Sequence, residues 1–213
     1  MYSPEKPQAI LDGEKAAWDI INSLNPDDVC RRAKASFDGK QEIFTMKMFS
    51  AFIVVSLKKR LIFDLDKQNE RLLNSLGDYA VLPALRYLIH AADVPFSGNF
   101  INPAELTGGH IYQSGSHVLP LHLVAQKYGA DREGFLARGR FLGGEQTSQG
   151  DAALLLLPFP RIAVAVILWL QDDEFPARSV LLVDSSCEQQ LPPDVMWMTT
   201  MMCVLAMTLS PEF

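Results

Sequence analysis

Hydrophobic spacing changes register several times along the chain, and each change marks an element. Ile10, Ala17, Trp18 and Ile21 fall on one face at helical spacing, which predicts an amphipathic helix over residues 9–23. The next segment carries helix start and stop chemistry. Asn25 is a capping residue, Pro26 suits the first helical position, and Asp27 and Asp28 sit at the positive end of the dipole. Arg31, Arg32 and Lys34 sit at the negative end. Phe44, Met46 and Met48 then alternate with Ile43, Thr45 and Lys47, which is strand periodicity. Residues 51–57 and 61–65 read as two further strands around the charged turn Lys58-Lys59-Arg60. The short connections predict a three-stranded antiparallel meander.

Helical spacing returns over 79–92 around Pro83, followed by a loop from Pro95 to Pro103. A largely helical path is expected from Gly108-Gly109 to Tyr128, broken near Gly115 and Pro120, with Gly129 as its C-cap. Asp131 opens another helix that Gly143-Gly144 stops, and residues 145–150 read as a polar turn. Residues 152–157, 162–170 and 179–183 form a second apolar meander. Pro192-Pro193-Asp194 opens a final helix that is apolar on nearly every side, with Met196, Met198, Met201, Met202 and Met207. Such a helix belongs in a core or at a homo-oligomer interface, and its methionines suit an adaptable pocket. The expected fold is α+β: an antiparallel sheet of two three-stranded meanders packed with four to six helices. Residues 1–213 are expected to form one domain.

Composition narrows the class. Hydrophobic residues are 48% and charged residues 21%, enough for a core. The net charge of −6 argues against general nucleic-acid binding. Cys30, Cys187 and Cys203 are odd in number and far apart, as expected of reduced thiols in a cytoplasmic protein. The stretch Met1–Lys6 lacks the apolar segment of a secretion signal. Residues 152–170 are nearly all apolar, but Pro158, Pro160 and Arg161 interrupt them. A central Arg costs about 2.5–3.5 kcal/mol on insertion, so two buried strands are expected rather than a membrane span. Charge is also uneven. Eight bases and two acids lie between Arg31 and Arg60, whereas seven acids and one base follow Gln171. Complementary halves of one fold, charged edges that resist aggregation, or a basic face for an anionic ligand or partner would each account for this.

Little recognisable catalytic chemistry is present. The 143–150 segment lacks the Lys-Ser/Thr of a phosphate loop, and no GxGxxG, GxSxG, HExxH or HxH occurs. On an unbroken helix His110 and His117 would stand roughly 10 Å apart, too far to share a metal ion, and His122 would point away. No metal site and no particular cofactor is assigned. The strongest candidate is Asp172-Asp173-Glu174, set between two core strands. On an extended backbone Asp172 and Glu174 point the same way. Strand reversal places Asp151 at their end of the meander and Asp184 at the other. Asp151, Asp172 and Glu174 are therefore the candidate catalytic residues for general acid–base or metal-assisted chemistry. The competing reading is a solvated turn whose acids accept bonds from backbone N–H groups or Arg178.

A set of short motifs accompanies this turn. They are Ser97-Gly98, Glu105-Leu106, Gly108-Gly109, Gly143-Gly144, Gly150-Asp151, Pro158-x-Pro160, and Trp169 with Asp172-Asp173-Glu174-Phe175-Pro176-Ala177 and Asp184. Together they resemble a domain-of-unknown-function family of about this length, found mainly in anaerobic bacteria and archaea. Some relatives are joined to an iron–sulfur domain of the corrinoid-protein type. The resemblance implies a setting in anaerobic redox or one-carbon metabolism, with a cofactor or a redox protein as partner. It brings no assigned activity. The expected function is a binding or accessory module; the alternative is a carboxylate hydrolase or isomerase.

Overall fold

The computed structural model describes residues 8–67, 69–113 and 115–209. The Met1–Lys6 stretch read for a leader lies outside them. In chain order the helices are α1 (Gln8–Ile21), α2 (Pro26–Ala33), α3 (Glu70–Leu76), α4 (Asp78–His90), α5 (His122–Tyr128), α6 (Arg132–Phe141) and α7 (Pro193–Thr208). The strands are β1 (Ser36–Asp38), β2 (Ile43–Met48), β3 (Ala51–Ser56), β4 (Leu61–Asp64), β5 (Phe100–Ile101), β6 (Glu145–Thr147), β7 (Ala152–Phe159), β8 (Ile162–Trp169) and β9 (Arg178–Asp184). They make two antiparallel sheets, ordered β1-β2-β3-β4 and β5-β9-β8-β7-β6. The α+β class holds. The expected single sheet is instead two: β7-β8-β9 is the centre of the larger, between β5 and β6, and β2-β3-β4 forms the smaller with β1 added at one edge.

The other corrections share a cause. β1, β5 and β6 have two or three residues each, too few to show alternation. β5 lies inside the expected 95–103 loop and pairs with Val183 and Asp184. β6 lies inside the expected polar turn and pairs with Ala153, Leu154 and Leu155. The seven-residue α3 is under two turns, too short for helical spacing to stand out, so the described residues hold seven helices rather than four to six. The helical path expected before Tyr128 is two 3₁₀ turns, Gly109–Gln113 and Gly115–His117, before α5 begins.

Local signals that were strong are obeyed. Asn25 accepts from the N–H groups of Asp27 (2.9 Å) and Asp28 (3.3 Å), and Pro26 opens α2. Several bases from the 31–60 segment are paired: Arg31 and Arg32 with Asp28, Arg31 also with Asp93, and Arg60 with Asp19. β8 is the central strand of the larger sheet, and Ile162 to Leu168 are buried on both faces. The two sheets meet where Phe49 N–H donates to Leu157 O at 3.1 Å, at the irregularity in β7 that contains Pro158. Buried side chains of both sheets and of α1, α4, α6 and α7 form one continuous cluster. Among the described residues no helix is long and apolar enough to cross a membrane.

The apolar α7 is enclosed within the chain. Met196, Met202, Cys203, Val204 and Met207 are buried, and Tyr79 and His117 pack edge-on against Trp197. Its last carbonyls need donors that the helix itself does not supply. Arg138 Nε donates to Ala206 O (2.7 Å), Tyr128 Oη to Met207 O (2.7 Å), and Lys127 Nζ to Thr208 O (2.7 Å). The β7–β8 turn is tied down in a similar way. Arg161 donates to Arg32 O (2.6 Å), Val94 O and Arg31 O, and pairs with Asp93.

Asp184, 1% exposed, ends β9 and fastens the Ser97-Gly98 loop. Its carboxylate accepts from Ser97 N–H (3.0 Å), Ser97 Oγ (2.9 Å), Gly98 N–H (2.7 Å), Ser186 N–H (2.9 Å) and Ser186 Oγ (2.6 Å). Burial pushes its pKa up, but the bonds from Ser186 and Ser97 outweigh burial and hold it below the ordinary 3.8. Asp184→Ala strands these buried donors and should lower unfolding free energy by about 3 kcal/mol, with Asp184→Asn losing less, as read by urea denaturation. Because the folded pKa is depressed, this contribution is present above 3.8 and is lost as pH falls through the folded value.

Candidate functional site

The acidic turn lies between β8 and β9. β8 ends at Trp169, so strand alternation does not extend to the triplet, and the chain bends at residues 173–175. Asp172 folds back on its own turn. Its Oδ1 accepts from Glu174 N–H (2.8 Å) and Phe175 N–H (2.7 Å), while its own N–H donates to Phe175 O (3.0 Å). The Phe175 and Glu174 bonds hold its pKa below the usual aspartate value. Asp173 and Glu174 are exposed. Asp151 does stand at the root of this turn. Its Oδ2 accepts Leu170 N–H (2.8 Å), and its N–H donates to Leu168 O (3.0 Å). Gly150, at φ 56°, makes that approach possible, because a Cβ there would lie 2.8 Å from Leu168 O. The structure thus brings Asp151 and Asp172 to the same sheet end, each accepting backbone N–H bonds. Arg178 lies over the Trp169 ring at 4.4 Å.

The far side of the turn is fixed to α5. Gln171 N–H donates to Gly129 O (2.9 Å), and Ser179 Oγ donates to Leu121 O (2.7 Å). Gly129 is the C-cap of α5, as expected, with φ −60°. Its small size is needed for packing: a Cβ there would sit 2.4 Å from Ala177 Cβ. Between turn and helix lies a cleft of 500 Å³ with His122, Gln126, Gln171, Ala177 and Arg178 among its walls. That volume falls in the range of small-ligand sites. His122 and Arg178 carry no sequence signal that joins them in one cleft, since they lie 56 residues apart on α5 and β9. Nothing in the sequence placed α5 against the turn. Among the described residues, no group of three or more His, Cys, Asp or Glu is placed to hold a metal ion. The thiols are poor nucleophiles, since burial pushes Cys187 up to about 12 and raises Cys203 as well.

The profile of a domain of unknown function, DUF3786, matches residues 25–206. The chain belongs to the DUF3786 family. The match runs from the cap of α2 almost to the end of α7, so it includes both sheets, the acidic turn and the cleft. No curated protein and no solved structure matches this DUF3786 chain.

If Asp172 builds the turn, its carboxyl carbon should titrate by NMR with a midpoint below 3.8. Asp172→Ala should speed hydrogen exchange at the Glu174 and Phe175 amides, and Asp172→Asn, which keeps an acceptor, should do so less. Unchanged exchange in the alanine variant would assign the carboxylate another role.

Proposed function

We propose that this chain is a binding or accessory module that holds a small-molecule cofactor in the cleft between the acidic turn and α5. One observation carries the reading: Asp172 accepts two backbone N–H bonds, which makes it a brace of the loop whose neighbouring residues line the cleft. His122, Gln126, Gln171 and Arg178 then supply polar contacts, while Ala125 and Pro176 supply apolar surface. Reduced thiols fit a cytoplasmic protein. The sequence resemblance to proteins of anaerobes, some fused to an iron–sulfur domain, favours a redox setting and a redox protein as partner. The unit that acts is the single α+β domain of residues 1–213. Self-association through α7 is the weaker option, because most of that helix is buried inside the chain.

The alternative, a hydrolase or isomerase using Asp151, Asp172 and Glu174, draws support from the shared location of Asp151 and the turn. In that reading Asp172 acts through Oδ2, since both backbone bonds fall on Oδ1, and those bonds lower its basicity.

Thermal denaturation against corrinoids, flavins, nucleotides and divalent metals tests the binding reading. A true ligand at a hundredfold excess over Kd should raise Tm by roughly 5–10 °C. The shift should shrink in His122→Ala and Arg178→Ala. No stabilisation by any class would overturn the proposal, and turnover of a substrate lost in Asp172→Asn would replace it with the enzyme reading.

A further inference from the structure

A second cavity, of 340 Å³, opens between the C-terminal end of α4, residues 106–107 and the segment leading into α7. It shares no lining residue with the acidic-turn cleft. Gln190 is fully buried and forms part of its wall. Its Oε1 accepts Ala92 N–H at 2.9 Å, which fixes the orientation of the amide. Nε2 is thereby committed as a donor, and it meets no acceptor in the chain. A buried donor without a partner is costly and calls for a reason.

The surroundings describe what would satisfy it. The cavity lies beside the first turn of α7, a 16-residue helix whose N-cap, Pro192, makes no side-chain bond to that turn. The positive end of the helix therefore favours an oxygen there. Leu106, Leu191, Pro192 and Pro193 present apolar surface suited to a flat ring. Glu188 accepts Thr107 N–H and remains available to accept from a ligand N–H as well. A full negative charge is disfavoured by Glu188 and by Asp194 in the first turn of α7. His90 offers little compensation near neutral pH, since partial burial, Arg86 and Arg32 hold it below its ordinary value.

We infer that this cavity binds a neutral cyclic amide or imide, with its carbonyl on Gln190 Nε2, its N–H on Glu188 and its ring against the two prolines. Nε2 is screened from solvent, so the carbonyl reaches it through a small shift of the wall. Met196, unbranched and flexible, is the lining side chain suited to yield.

The full chain is titrated with uracil, hypoxanthine and lumiflavin by saturation-transfer NMR, with purine as a ring that lacks the carbonyl. At least one carbonyl ring should bind, and purine should bind about tenfold more weakly than hypoxanthine. Gln190→Met removes the donor at similar volume and should weaken binding about tenfold. Should that variant fail to fold, Glu188→Gln keeps the acceptor for Thr107 N–H and should admit orotate, a carboxylated ring that the native chain rejects. Three results would overturn the inference: no probe binding, purine binding as well as hypoxanthine, or binding lost in His122→Ala yet kept in Gln190→Met. The last would move the ligand to the acidic-turn cleft, so the two sites are told apart.

Discussion

A helix that is apolar on every face cannot sit at a surface, and α7 imposes that constraint on everything around it. It packs against α3, α4, α5, α6 and β7. Burial of Ala206 and Met207 removes water from much of its last turn, where the carbonyls have no helical partners. Tyr128 and Lys127 from α5 and Arg138 from α6 supply the missing donors. Burial works against the charge on Arg138, which a buried guanidinium tolerates because its bond is charge-assisted. The placement of α5 follows from α7, and the placement of α5 sets one wall of the acidic-turn cleft.

The same economy recurs wherever an ionisable side chain is buried or held at a turn. Arg161 binds carbonyls at the end of α2 and beyond α4. Asp184 gathers N–H and hydroxyl groups from Ser97, Gly98 and Ser186. Asp151 and Asp172 hold backbone N–H groups at opposite ends of one loop. Tyr87 donates to Ala33 O while stacking on Phe159 at 4.8 Å. In each case a side chain with catalytic chemistry in its repertoire stabilises irregular backbone, as buried main-chain groups require. A residue type that looks like a site can therefore be the mortar of a loop.

This explains what could be read from the sequence and what could not. Long periodic segments and capped ends were legible: α2 begins at Asn25 and Pro26, and β8 is the buried centre of its sheet. The position of Asp151 relative to Leu170 followed from counting strand reversals. The short edge strands lacked enough residues for a period to show. The direction of Asp172 was not legible either, because alternation holds only while the backbone is extended, and β8 stops at Trp169. The need for small residues at Gly129 and Ala177 arises from contact between distant segments, which no local pattern encodes.

Charge clusters and unpaired amides carry different weight as signs of a ligand. Exposed acids such as Asp173 and Glu174 are solvated and need no partner, so their presence decides little. Gln190 differs because its environment is dry and one of its two polar atoms is already held by Ala92. A hydrophobic residue of similar size would fill that volume, but it would leave Ala92 N–H without its acceptor. The amide is thus needed for Ala92, and its second half is left as a buried donor without a partner, on a residue that lines the cavity. A ligand that accepts there gains a bond the free protein lacks, which is the energetic basis on which such a site discriminates between rings with and without a carbonyl.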